Sequence, residues 1–259
     1  MKKKQIPIVM AAFGTTSRAR ETYTAIDTQV RDAFPGQEIH WAFSSRLVKG
    51  LMQAKRDQSI KHPHQILRQL QAQGHDWAVV QSVHLLGGHE FFRLLQEVQD
   101  ETIRTSIGMP LLTSPDDYLR CATCLAPMID SHPDKAILLV GHGTDHPAWT
   151  AYPALEQTLR KLFGDRIFVG AVEKFPPSDG LIAEIAAAGF REALLVPFLL
   201  VAGNHYRQDL MGKEAASWIS RLREAGIAFE VIPDGIGRLP CIGEILCDHI
   251  REALEVIPV

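Results

Sequence analysis

The 259-residue sequence predicts an α/β protein built from two related parallel sheets, each covered by helices on both faces. Three observations carry that expectation. Short apolar runs alternate with segments of helical periodicity, the two halves of the chain repeat each other, and several apolar runs end in glycine-flanked polar residues, as loops at the carboxyl edge of a parallel sheet do. In the first half the runs lie near 6–12, 38–43, 77–82 and 108–112, and in the second near 136–140, 167–172, 193–198 and 228–232. Each is short, apolar and β-rich, as strands buried on both faces are. Between them, Ile66, Leu67 and Leu70, and later Ser217, Ile219 and Leu222, fall at helical spacing. A final helix, Ile242 to Leu254, is compatible with packing on either domain.

The repeat can be followed residue by residue. Phe13-Gly14-Thr15 finds its counterpart 129 residues on in His142-Gly143-Thr144, and in that register Ala19 meets Ala148, Tyr23 meets Tyr152, Ala25 meets Ala154 and Asp27 meets Glu156. The same register sets Ser44 opposite Glu173. Further along, the spacing shortens to 116, where Gly87-Gly88-His89 meets Gly203-Asn204-His205, so the first half has a longer connection around Ser45 to Lys61. Domains at 1–130 and 134–259 follow, with Ser131-His132-Pro133-Asp134 as the hinge.

Composition narrows the function. A hydrophobic content of 46% with 22% charged residues is that of a globular chain, and a net charge of −3 leaves no basic excess to neutralise a nucleic-acid backbone. The basic start is followed by an apolar stretch, Ile6 to Phe13, too short to span a bilayer and without a signal-cleavage site. The expected location is the cytoplasm, with no membrane partner. Cys121, Cys124, Cys241 and Cys247 do not make a disulfide framework at this length. Cys121-Ala-Thr-Cys124 lies in the helical run Asp117 to Ile129 and lacks a second Cys/His pair at zinc-site spacing, so buried structural thiols are expected.

Chemistry concentrates at three strand ends of the second half. The run Ala136 to Val140 ends in Gly141-His142-Gly143, Ile167 to Val172 ends in Glu173, and Ala193 to Ala202 ends in Gly203-Asn204-His205. Two imidazoles and a carboxylate are a plausible first shell for a divalent transition metal. Phe13 and Ser44 replace two of the three in the first half, so the metal set belongs to the second half alone. His89 and Glu90 then stand at the facing edge of the first domain. His40, His62, His64, His75, His132 and His249 lack a strand-end setting and read as surface or core histidines. A phosphate-binding loop is the bland alternative for Gly-His-Gly, but Thr144 is the only phosphate-loop residue on offer.

These phrases resemble a known family. Phe13-Gly-Thr15, Val80-Gln-Ser-Val-His84, Gly88-His-Glu90, Gly141-His-Gly-Thr144, Val169-Gly-Ala-Val-Glu173, Leu200-Val-Ala-Gly-Asn-His205 and Asp209-Leu-Met211 run in family order through the chain. They are similar to the anaerobic sirohydrochlorin cobaltochelatases of cobalamin synthesis, class II chelatases related to the ferrochelatases. The resemblance implies two flavodoxin-like domains with a tetrapyrrole cleft between them, Co²⁺ and sirohydrochlorin as substrates, no organic cofactor, and a homo-oligomer. It implies His142 and His205 as active-site histidines, Glu173 as the third metal residue and Glu90 as a catalytic residue on the facing wall. Phe13, His89, Glu90, Arg18, Arg46 and Arg207 are expected to bind substrate, with Arg20, Lys49 and Arg93 as further cations after strand ends. Asn204 stands where the family commonly has aspartate. Insertion of Fe²⁺ or Ni²⁺, and a non-catalytic metal- or haem-binding protein of this fold, are the alternatives that ligand type leaves open.

Overall fold

A computed structural model describes residues 5–14, 20–44 and 61–258. Two four-stranded parallel sheets are present. The first comprises β1 (Ile8–Ala12), β2 (Ile39–Phe43), β3 (Trp77–Val83) and β4 (Arg104–Gly108) in the order β2-β1-β3-β4. In the second, β5 (Ala136–Gly141), β6 (Ile167–Ala171), β7 (Glu192–Pro197) and β8 (Ala228–Val231) take the equivalent order β6-β5-β7-β8. The described helices are α1 (Arg20–Ala33), α2 (Pro63–Ala72), α3 (His89–Gln99), α4 (Pro115–Asp130), α5 (Ala151–Phe163), α6 (Leu181–Ala187), α7 (Trp218–Glu224) and α8 (Pro240–Glu255). No described helix is long and apolar enough to cross a membrane.

The central strands β1 and β5 are buried at every residue, which is why they read as unbroken apolar runs rather than alternating ones. In the second sheet Leu138 and Val140 pack with Phe168, Leu195 and Trp218 on one face, while Ile137 and Leu139 on the other are equally sequestered. In the first, Val9 and Ala11 pack with Ile66, Leu67, Leu70 and Leu94 from α2 and α3.

Four sequence expectations are corrected. The fourth strand lies at Arg104–Gly108, not 108–112. Leu111 and Leu112 are buried beyond it, their N–H groups donating to the His84 and Leu85 carbonyls at 3.0 and 2.9 Å, so apolar character there marks a buried loop. Secondly, the repeat register slips by one residue at the second strand. Ala12 pairs with Phe43 but Gly141 with Ala171, and the Ser44 and Val172 N–H groups make the same next bond, each at 2.9 Å. Ser44 therefore corresponds to Val172, and the counterpart of Glu173 is Ser45, outside the described residues.

Thirdly, the two compact units are not linear halves: Ser114–Cys241 belongs to the unit of the second sheet, and the chain from Ile242 onward to that of the first. Segment 131–134 consequently joins α4 to β5 within one unit. Arg166 ties it down, donating to the carbonyls of His132 at 2.7 Å and Ile129 at 3.1 Å. Ser114 starts α4 as its N-cap, exchanging bonds with Asp117 ahead of Pro115 in the first turn. Finally, Cys124 is not a free thiol: it forms a disulfide with Cys241, 117 residues away, with Cα atoms 5.9 Å apart. Cys121 and Cys247 are the free buried thiols, pushed up by burial to about 12 and about 11, which leaves neither as a thiolate nucleophile at neutral pH.

His84, the residue after β3, gives the first unit an acid-sensitive position. Its Nδ1 lies 2.9 Å from the Ser82 hydroxyl, its Nε2 is buried without a hydrogen-bond partner, and burial lowers the imidazole to about 4. The unfolded chain takes up that proton near pH 6.5 while the folded chain does not, so this contribution to stability is complete above about pH 6.5 and is lost progressively toward pH 4, by roughly 2–3 kcal/mol. Urea unfolding at pH 7.5 and 4.5 should show wild type losing more stability than His84→Gln by about that margin; equal losses would contradict this assignment.

Candidate metal centre

The carboxyl edge of the second sheet assembles three side chains from three strand ends. His142 follows the last residue of β5, Glu173 stands two past β6, and His205 comes after the buried segment Phe198 to Leu200 beyond β7. Among the described residues, these three form the one cluster able to hold a metal ion, their ligand atoms all within 4.8 Å of one another. His142 and Glu173 are exposed and His205 is half-buried, so the cluster is open to solvent.

Backbone bonds that continue the ladder past the strands set the spacing. Val172 N–H donates to Gly141 O at 2.9 Å and Glu173 N–H to His142 O at 3.0 Å. Lys174, at φ 56°, then turns the chain so that Thr144 N–H reaches Phe175 O at 3.2 Å. The histidine loop and the glutamate loop are thereby stitched together on both sides of the ligands. Gly143 makes this possible: it sits at φ 85°, and a Cβ there would lie 1.8 Å from the Glu173 carbonyl oxygen. Its N–H donates to the hydroxyl of Tyr152, 3.0 Å away and buried. The first unit repeats the device without the chemistry, because Tyr23, pushed up to about 12 by burial, is hydrogen-bonded to the backbone of Gly14. The sequence match of Tyr23 with Tyr152 thus marks a shared loop brace.

The imidazoles are oriented by what their other nitrogens touch. His142 Nδ1 lies 3.1 Å from the Gly143 carbonyl, and His205 Nδ1 lies 2.8 Å from Asp209 Oδ2. A carbonyl and a carboxylate only accept, so each Nδ1 carries the hydrogen and each Nε2 presents a lone pair. Those two Nε2 atoms face each other at 3.0 Å with the rings nearly perpendicular. Two lone pairs at that separation repel unless a cation lies between them, either a proton or a metal. Glu173 adds an anionic oxygen to the same point, and the open side leaves coordination positions for a second set of ligands. Lys174 does not neutralise Glu173, since it pairs with Asp145 at 3.0 Å.

This arrangement can now be set beside known proteins. A family model described as cobalt chelatase (CbiK) matches residues 6–255. The chain belongs to the cobalt chelatase family. Relatives of this chain include the sirohydrochlorin cobaltochelatase CbiKC of Nitratidesulfovibrio vulgaris, 30% identical with 96% of this chain and 91% of the relative covered. The sirohydrochlorin cobaltochelatase of Salmonella typhimurium is 29% identical, with 96% of each chain covered. In fold, the chain is similar to SirB from Bacillus subtilis in a structure with Fe³⁺, at a TM-score of 0.68 and 12% identity over 96% of each chain.

The remaining sequence-derived candidates are distributed over both units. Phe13 follows β1, where His142 follows β5, and is 47% exposed, an apolar side chain left to solvent at the carboxyl edge of the first sheet. His89 opens α3, and Glu90 beside it accepts from Ser44 Oγ at 3.4 Å and from Arg93 at 2.9 Å. Arg93 is thereby committed to Glu90. Arg207 is exposed, while Arg18, Arg46 and Lys49 lie outside the described residues. The motif reading gave Tyr152 no role as a brace and Asp209, though part of the Asp209-Leu-Met211 phrase, no role beside His205; its spacing of four from His205 on one helical turn was the available signal.

Proposed function

We propose that this chain is a sirohydrochlorin cobaltochelatase, a lyase-class enzyme that inserts Co²⁺ into a free-base tetrapyrrole. Family membership along almost the whole chain supports the reaction class, and one observation carries the chemistry: two imidazole lone pairs converge at 3.0 Å beside a carboxylate. Such a set binds a borderline cation yet leaves positions for incoming pyrrole nitrogens. The reaction exchanges Co²⁺ for two N–H protons. As Co²⁺ passes from His142 and His205 to the macrocycle, their Nε2 atoms regain their lone pairs and can share one released proton, which is the second way of satisfying the facing pair. Glu173 or solvent takes the other. Glu90, Phe13, His89 and Arg207, together with Arg18 and Arg46, serve on this reading to hold the macrocycle and its carboxylates.

An anaerobic assay with sirohydrochlorin and Co²⁺, Fe²⁺ and Ni²⁺ in competition tests the assignment, with the cobalt product expected to dominate. A second measurement separates metal-holding from macrocycle-holding residues. Calorimetric titration should show Glu173→Ala weakening Co²⁺ binding by about tenfold or more through loss of a ligand. Glu90→Ala should leave Co²⁺ binding of the free protein nearly unchanged while slowing turnover. The reverse pattern would put the site on the wrong unit.

A further inference from the structure

We infer that Asp209 is a positioning residue for the metal reaction: it locks His205 in the tautomer that presents Nε2 to Co²⁺. This inference rests on the proposal that His142, Glu173 and His205 hold the metal. Of the two imidazoles, His142 is oriented by its own loop, through the Gly143 carbonyl. His205 has no such backbone acceptor at Nδ1; its partner there is the Asp209 carboxylate at 2.8 Å. Without that acceptor the ring is free to take the other tautomer, place a hydrogen on Nε2 and rotate away from His142.

The surrounding turn is built to keep the pair in register. His205 occupies the N-cap position of a single wide helical turn, Tyr206–Leu210, with no side-chain capping bond, so its ring is not committed to the backbone. Four residues on, Asp209 falls on the same side of that turn. Leu210 is completely buried and anchors it. Gly212 closes it so tightly that a Cβ would lie 1.9 Å from the Gln208 carbonyl oxygen. Asn204 Nδ2 donates to Gln208 Oε1 at 2.6 Å, a parallel clasp that leaves Asp209 to His205. A carboxylate behind a metal-binding imidazole also raises its donor strength, a common supporting arrangement around metals.

The test compares Asp209→Ala and Asp209→Asn with His142→Ala as the control for the metal site. Three readouts are used: Co²⁺ titration, the visible ligand-field spectrum of bound Co²⁺, and steady-state kinetics with each substrate varied. Asp209→Ala should lose roughly 10- to 100-fold in Co²⁺ affinity, shift the spectrum and raise KM for Co²⁺ while KM for sirohydrochlorin stays put. Asp209→Asn, whose amide oxygen still accepts from Nδ1–H, should recover the spectrum and most of the affinity. Wild-type affinity and spectrum in Asp209→Ala, or equal losses in both variants, would overturn the role of the acceptor. If His142→Ala also binds Co²⁺ normally, the metal-site proposal itself fails; if it does not, only the role of Asp209 is lost.

Discussion

His142→Ala and His205→Ala are each expected to abolish cobalt insertion while leaving the protein folded. His142 projects from the end of β5 and His205 from the start of the turn Tyr206–Leu210 into an open cluster, so removing either opens no cavity in a core, and the thermal transition should move little. The chemical loss is of another order. Removing one imidazole takes away a ligand and also relieves the opposed lone pairs that make the site demand a cation. Co²⁺ affinity should fall by about two orders of magnitude or more, beyond the range seen when only a supporting residue is lost. Calorimetry for metal, circular dichroism for fold and the anaerobic insertion assay for turnover check the three parts together. Normal turnover by either variant would remove the histidine pair from the mechanism.

Gly143→Ala should be nearly as damaging, by a purely steric route. The substitution adds one methyl group where the Glu173 carbonyl oxygen would be 1.8 Å away and the Ala171 Cβ 2.9 Å, at a φ of 85° that side chains other than glycine rarely adopt. Backbone strain and overpacking together cost about 3–5 kcal/mol if the loop holds its place. The loop instead moves, and with it goes the bond from Glu173 N–H to His142 O that sets the distance between two of the three candidate ligands. Loss of Co²⁺ binding with an altered cobalt spectrum is the expected result, accompanied by a fall in Tm of several degrees for the second unit. Full Co²⁺ affinity in Gly143→Ala would mean that the two loops position their ligands independently.

Much of the candidate cluster was readable in the chain because parallel α/β architecture turns one-dimensional order into position. Three apolar runs that end in His142, Glu173 and His205 must deliver those side chains to one edge of a sheet if the runs are parallel neighbours, and β6-β5-β7 are neighbours. The long helices resisted the same logic. Nothing in the amphipathic patterns of α4 and α8 says which sheet each covers, since an apolar stripe fits any apolar face. Their exchange between the units, and the Cys124–Cys241 bond, therefore had no signal in spacing. The one-residue slip that moved the counterpart of Glu173 from Ser44 to Ser45 escaped for a related reason, because pairing register is set by bonds between strands rather than by residue identity.

The order and apolarity of the strands, the repeat that matches Phe13-Gly14-Thr15 and Tyr23 with His142-Gly143-Thr144 and Tyr152, and the residue types at three strand ends were written in the primary structure, where local periodicity leaves few alternatives. What these three side chains can do chemically was decided by atoms distant in sequence or one helical turn away. The Gly143 carbonyl and the Asp209 carboxylate choose the tautomers, and the folded loops bring Nε2 of His142 within 3.0 Å of Nε2 of His205, 63 residues on. A lone pair has direction, and direction exists only once the chain is folded.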